Sequence, residues 1–138
     1  MKRYLLDTNV ISEIRKLKPH GAVMEWLRGL ASEQIFLSAV TLGELQSGIE
    51  RTRRQDAKKA REIEAWVNQL AGTYNVLAMD AACFLEWGRI KEGKPERLAE
   101  DAMIAATALV HDLIVATRSE RDFDRFGVRV FNPFKVGS

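Results

Sequence analysis

One cysteine, Cys83, two histidines, His20 and His111, and three prolines are all that this 138-residue chain contains of those residue types. A lone cysteine closes no internal disulfide, and one thiol with two imidazoles makes a zinc cage very improbable, so any metal must be held by oxygen. No apolar run approaches the roughly 18 residues that span a bilayer. Met1-Lys2-Arg3 leads directly into a short apolar segment instead of a signal-peptide core. The expectation is a soluble, cytoplasmic protein with no membrane contact. No repeat, low-complexity tract or Pro/Ser-rich linker divides the chain, so a single domain over residues 1–138 is expected.

Neither sign of charge dominates: 21 Lys and Arg stand against 19 Asp and Glu, a net +2, well short of a strongly basic nucleic-acid binder. One local run departs from that balance. Arg51, Arg53, Arg54, Lys58, Lys59 and Arg61 face the single acid Asp56. A solvated helix face is the commoner meaning of such a run, and phosphate steering is the other.

Short apolar runs alternate with helical periodicity. Tyr4-Leu5-Leu6 reads as a buried strand stopped by a polar loop at Asp7-Thr8-Asn9. Ile35-Phe36-Leu37 ends at Ser38, an N-cap for a helix with Leu42, Leu45 and Ile49 on one stripe. The spacing of Ile63, Trp66, Val67 and Leu70 predicts a helix from Ala57 that Gly72 ends. Val76 to Met79 reads as a strand, with Asp80 capping a helix through Lys91. Glu96 to His111 reads as another helix, Leu113 to Thr117 as a fully buried strand, and Val128 to Phe131 as the last. Such alternation argues for an α/β sandwich whose parallel sheet is covered on both faces.

In an open parallel sheet, sites form beyond the carboxyl ends of the strands, which is where Asp7 and Asp122 fall. By itself each acid is as well read as an Asx-turn or cap. Asp101 is harder to dismiss, because at 100° per residue Leu98, Ile104, Ala105, Ala108 and Leu109 lie within roughly 80° of it. An ionised acid on an apolar stripe must meet an arginine, a cation or other polar groups. Glu44 shares its helix face with Val40, Thr41, Ser47 and Gly48, which leave it uncovered. Gly43 and Gly48 suggest a close approach there, at a helix cost of about 2 kcal/mol. Solvent exposure is the plainer reading of Glu44. Gathered at one sheet edge, four acids repel one another unless a divalent cation offsets them. Oxygen donors without imidazole or thiolate select Mg²⁺ or Mn²⁺.

Four segments, in order and at suitable spacing, carry a likeness to a known family: Tyr4-Leu5-Leu6-Asp7-Thr8-Asn9-Val10-Ile11-Ser12-Glu13, Leu37-Ser38-Ala39-Val40-Thr41-Leu42-Gly43-Glu44-Leu45, Asp101-Ala102-Met103-Ile104-Ala105-Ala106-Thr107-Ala108-Leu109, and Val115-Ala116-Thr117-Arg118 followed by Asp122-Phe123. The chain resembles the PIN-domain ribonucleases of the VapC toxin group, most closely the FitB-like branch. The likeness implies a three-layer α/β/α sandwich with a short, mainly parallel central sheet. It places the acidic site at Asp7, Glu44, Asp101 and Asp122, with Asp7, Asp101 and Asp122 as ligands for Mg²⁺ or Mn²⁺ and Glu44 acting on the attacking water. Thr8, Asn9 and Thr117 match supporting polar residues. Ser119 stands where the family usually has asparagine, a departure that touches a supporting hydrogen bond and not the metal. The implied activity is endoribonucleolytic, on tRNA, rRNA or mRNA, leaving a 5′-phosphate and a 3′-hydroxyl. The implied partners are a cognate antitoxin, a second copy of the chain in a homodimer, and promoter DNA through the antitoxin.

Two rival readings remain at this level. A receiver-like signalling module would use Asp80 as phosphoacceptor and Lys135 as its charged contact, although Asp80 is more simply an N-cap. A catalytically inactive PIN-type scaffold would have no need to keep all four acids. His111-Asp112 is too short a match to metal-dependent phosphohydrolases to inform, and His111 suits a helix C-terminus. Trp26, Trp66, Phe84 and Trp87 can stack bases, but helical spacing beside leucine and valine makes core or partner interface the commoner reading.

Overall fold

The structure is a computed structural model and describes residues 1–135; the last three residues of the expected 1–138 domain lie outside the described residues. Five short strands, β1 (Tyr4–Leu6), β2 (Ile35–Ser38), β3 (Asn75–Leu77), β4 (Ile114–Ala116) and β5 (Val130–Phe131), form one sheet in the order β3-β2-β1-β4-β5. Every pairing is parallel. Among the described residues seven α-helices cover it: α1 (Thr8–Ile14), α2 (Gly21–Arg28), α3 (Ala39–Arg53), α4 (Ala57–Thr73), α5 (Ala81–Lys91), α6 (Ala99–His111) and α7 (Glu120–Asp124). The expected α/β/α sandwich is therefore observed.

The two-residue period of the strands divides the core. Leu5 and Val115 point to one face, against Leu98, Ala102, Ile104, Ala105 and Phe123 from the α6 and α7 side. Tyr4, Leu6, Leu37, Ile114 and Ala116 point to the other, against Val10, Ile11, Val23 and Leu70 of α1, α2 and α4. Strands buried on both faces have no polar alternation, which is why they read as continuous apolar runs. The register pairs Leu6 with Leu37 and with Ala116, so the strand ends are level. Asp7, Ser38 and Thr117 consequently emerge together on one edge.

Several boundaries differ from the sequence reading. The polar loop expected at Asp7-Thr8-Asn9 is instead the start of α1, because the Asp7 carboxylate accepts the Thr8 N–H at 2.8 Å and caps it. Helix α2 and the short α7 were not anticipated, and Asp122 lies within α7 and not in a loop. Helix α4 runs through Gly72 to Thr73; packing of Val67 and Leu70 outweighs glycine's weak helix propensity. The helix expected from Glu96 opens as a 3-10 turn, Glu96–Leu98, before α6. Strand β3 lies over Asn75–Leu77, earlier than Val76 to Met79, while β4 and β5 are shorter than expected. Among the described residues nothing lies within 4 Å of the Cβ position of Gly43. At Gly48 that position lies 3.6 Å from the Arg51 guanidinium, which folds back to donate to Ser47 Oγ at 3.1 Å. The close approach expected at this surface is thus a side chain of the same helix.

Candidate functional site

The strand order reverses at β1: β2 lies on one side and β4 on the other. A doubly wound sheet opens a crevice at such a switch point, beyond the carboxyl ends. Asp7, the residue after β1, sits there with its N–H donating to the Ala116 carbonyl at 2.9 Å. The residue is only 5% exposed. Thr8 N–H donates to Oδ1, and the Thr117 hydroxyl, from the residue after β4, donates to Oδ2 at 2.8 Å. Burial pushes the Asp7 carboxyl above its ordinary range, while these two bonds pull it back.

The residues expected to support the site are joined to one another and to Glu44 by hydrogen bonds. The Thr8 hydroxyl donates to Glu44 Oε1 at 2.9 Å and lies 3.2 Å from Thr41 Oγ1. Asn9 Nδ2 donates to Thr117 Oγ1 at 3.4 Å and to Ser119 Oγ at 3.3 Å, and Asn9 Oδ1 accepts the Arg118 N–H at 3.3 Å. Ser119 N–H donates to Thr117 Oγ1 at 2.9 Å. Serine at 119 therefore keeps a place in the network that fixes the loop after β4.

Asp7, Glu44 and Asp101 line one open hollow of about 460 Å³, together with Thr8, Asn9, Ser12, Glu13, Lys16, Arg118 and Ser119. Asp101, in the first turn of α6, is pushed up to about 6 by burial first, then by the charges of Asp7, Asp122 and Glu100. No arginine salt bridge reaches it among the described residues; the nearby Arg97 guanidinium instead pairs with Asp122 at 3.6 Å. Glu44 is pushed up to about 7 by burial, by hydrogen bonding with Glu100, and by the charges of Glu100 and Asp7. Asp122 opens on a neighbouring hollow with Arg118, Ser119, Glu120 and Lys135. The quartet is thus three acids in one hollow and a fourth beside it, close enough to act on Asp101.

The donor chemistry of the hollow, carboxylate and hydroxyl oxygen with no imidazole or thiol, fits a hard divalent cation. Among the described residues no three acid, imidazole or thiol side chains converge closely enough to hold one ion as they stand. The four-acid cage that the sequence reading anticipated is therefore looser than expected. Mg²⁺ ordinarily takes one or two protein carboxylates and keeps several waters, so this spacing suits an ion bound partly through water.

Two functional candidates escaped the sequence reading. Glu100 was masked by its more telling neighbour Asp101, and only the tertiary fold sets it against Glu44. Glu13 is 4% exposed, and hydrogen bonding from Lys16 holds its carboxyl below the ordinary range. Once Thr8–Ile14 is recognised as a helix, Glu13 falls within about 60° of Val10 and so towards the buried side, a signal that the loop assignment concealed.

The other candidates are accounted for elsewhere. Asp80 Oδ1 caps α5 through the Cys83 N–H at 3.0 Å, so the receiver reading loses its phosphoacceptor. Trp26 meets Tyr4 edge-on with 5.0 Å between ring centroids, Trp66 is half-buried against the edge of the core, and Trp87 donates to the Ala99 carbonyl at 3.0 Å. Phe84 is exposed. In the basic run, Arg53 is engaged by Glu50 and Glu64, while Lys58, Lys59 and Arg61 face solvent. His111 ends α6.

The switch-point hollow thus holds four carboxylates, those of Asp7, Glu13, Glu44 and Asp101. The chain is 36% identical over 138 residues to the toxin FitB of Neisseria gonorrhoeae, covering 94% of this chain and 97% of that one. It is 34% identical over 142 residues to the VapC ribonuclease Y4jK of Sinorhizobium fredii, covering 95% and 97%. Its fold superposes on the crystal structure of FitAcB from Neisseria gonorrhoeae with a TM-score of 0.85 at 35% identity, over 96% of this chain and 99% of that one. The family model described as PIN domain matches residues 4–128, and the chain belongs to the PIN domain family.

Proposed function

We propose that this chain is the toxin of a toxin–antitoxin pair, an Mg²⁺- or Mn²⁺-dependent endoribonuclease acting on tRNA, rRNA or mRNA in the cytoplasm. The observation that supports it above all is the meeting of Asp7, Glu44 and Asp101 in one hollow at the switch point. Relatives named FitB toxin and VapC ribonuclease match over nearly their whole length.

Asp7 and Asp101 would hold the ion, with Asp122 reaching it or a second ion through water. When bound, such an ion supplies Lewis-acid charge for the phosphoryl oxygens and a more acidic water. The chain's own residues do the rest. Thr8 N–H and the Thr117 hydroxyl fix the two oxygens of Asp7, so its remaining lone pairs keep one direction. Glu44, with a carboxyl near neutrality, is matched to taking a proton from the attacking water. The Thr8 hydroxyl orients it. Water oxygen bonds to phosphorus as the bond from phosphorus to the 3′-oxygen breaks; the 3′-oxygen leaves with the bonding pair and takes a proton from solvent, giving a 5′-phosphate and a 3′-hydroxyl.

A cognate antitoxin would restrain the enzyme and carry the pair to promoter DNA. A homodimer would cover apolar side chains now exposed on two packed helices, Phe84 and Leu85 of α5 and Val110 of α6.

The test is digestion of total RNA and tRNA by the purified protein with Mg²⁺ or Mn²⁺, against a chelator control and against Asp7→Asn. Cleavage that needs metal and is lost in a folded Asp7→Asn variant is the expected result. Undiminished cleavage in either control overturns the proposal.

A further inference from the structure

An acidic hollow is a poor receiver of a polyanion. A divalent ion offsets charge only beside itself, and the phosphates on either side of a reacting one still meet Asp7, Glu44 and Asp101. Positive charge at the lip of the hollow would remove that difficulty, and two cations stand there. Lys16 and Arg118 line the same hollow, with side chains 58% and 54% exposed.

Both lean on one buried carboxylate. Glu13 Oε1 accepts Lys16 Nζ at 2.9 Å and lies 3.8 Å from an Arg118 guanidinium nitrogen, while Oε2 accepts the His20 N–H at 2.9 Å. Arg118 is steadied from two further sides. Its Cζ lies 3.8 Å from the centroid of the Phe134 ring, and its backbone N–H donates to Asn9. An ammonium has three donors and a guanidinium five. Glu13 engages only part of each, so donors remain on the exposed side for a ligand. A carboxylate inside the protein is costly unless paired, and here the pairing fixes two long side chains that would otherwise lose rotamer freedom on meeting a ligand.

We infer that Glu13 is a positioning residue that holds Lys16 and Arg118 on the lip of the hollow as a two-point clamp for the RNA phosphates flanking the scissile one. This rests on the ribonuclease reading above. A purely structural role for Glu13, tying the end of α1 to the turn before α2 through His20, gives different consequences for binding.

The experiment is a fluorescence anisotropy titration of a labelled single-stranded oligoribonucleotide with the full chain in EDTA, across a series of NaCl concentrations. Steady-state cleavage in Mg²⁺ and a melting curve accompany it for every variant. Lys16→Ala and Arg118→Ala are each expected to weaken binding about three- to tenfold at low salt. Each is also expected to flatten the slope of log K against log salt by about 0.7, one single-strand phosphate contact. In cleavage, KM rises by more than kcat falls. Glu13→Gln is the discriminating variant: it removes a negative charge from the neighbourhood of a polyanion, which by simple electrostatics tightens binding, yet loss of the clamp weakens it. Arg129→Ala, which removes a positive charge at the amino end of β5 on the opposite edge of the sheet, controls for net charge.

Wild-type or tighter binding by a folded Glu13→Gln variant overturns the inference, as does a loss in Lys16→Ala and Arg118→Ala no greater than in Arg129→Ala. If Glu13→Gln does not fold, the two lysine and arginine variants decide alone. A wild-type chain that neither binds nor cuts RNA removes the ribonuclease reading and the clamp with it. A chain that cuts RNA while all three variants keep wild-type Kd, salt slope and KM removes the clamp alone.

Discussion

Replacing Asp101 by asparagine is expected to stabilise the metal-free protein while abolishing cleavage. The carboxyl of Asp101 is pushed from an ordinary 3.8 up to about 6, and in the unfolded chain it returns to the lower value. The folded state therefore binds the extra proton between those limits. Stability falls as pH rises through that window, and the penalty is complete above it. At 1.36 kcal/mol per unit the full penalty is about 3 kcal/mol; partial exposure and salt screening leave about 1–2 kcal/mol. For a chain of this size, with roughly 3 °C per kcal/mol, Asp101→Asn melts about 3–6 °C higher near pH 8 in EDTA. The gain shrinks as the wild-type carboxyl becomes protonated and is gone near pH 4. Circular dichroism melts of both proteins at the two pH values, with and without Mg²⁺, measure it. Mg²⁺ raises the wild-type Tm more than the variant's, since binding to the folded state alone adds stability. A lower Tm for the variant in EDTA at the higher pH would refute the reasoning, because it would mean that the carboxylate supports the fold instead of straining it.

Glu100→Gln removes the acid that hydrogen-bonds and repels Glu44, so the Glu44 carboxyl falls from about 7 and the acid limb of the kcat/KM profile moves to lower pH, by up to about one unit; an unmoved limb would show that Glu44 is not the proton acceptor or that Glu100 does not act on it. Phe123 is fully buried against the Leu5 and Val115 face of the sheet, and Phe123→Ala costs about 3–5 kcal/mol in urea unfolding. Because Phe123 adjoins Asp122, a loss under about 1 kcal/mol would mean that α7 and its acid are not anchored by this packing.

The alternation of strands and helices, the parallel sheet and the anomaly of Asp101 were legible because each rests on local pattern, whereas Asp7 and Glu44 entered the candidate site through the family resemblance. A strand buried on both faces shows as an uninterrupted apolar run, and a carboxylate on an apolar helix stripe is anomalous wherever the helix goes. The reading failed where a polar residue serves two purposes. Asp7 reads as a loop former, yet the same carboxylate that caps α1 faces the hollow, and concealing α1 concealed the burial of Glu13 as well. Gly72 and Gly43 show the opposite error: a glycine does not by itself mark an end or a contact, because the packing of its neighbours decides.

What local order could not contain is who meets whom across the chain. Thr117 reaches Asp7, Ser119 reaches Asn9, and Arg118 reaches Glu13 only because β4 crosses to lie beside β1 and not beside β3. Residue spacing along the chain carries no record of that crossing. The pairing of Asp122 with Arg97 belongs to the tertiary structure, as does the setting of Glu100 against Glu44. Amino-acid composition alone made a thiolate or imidazole zinc cage improbable, since the chain has one thiol and two imidazoles. The fold alone decided how far apart the carboxylate oxygens of the hollow stand, because strand order and helix packing set the distances between side chains that are remote in sequence.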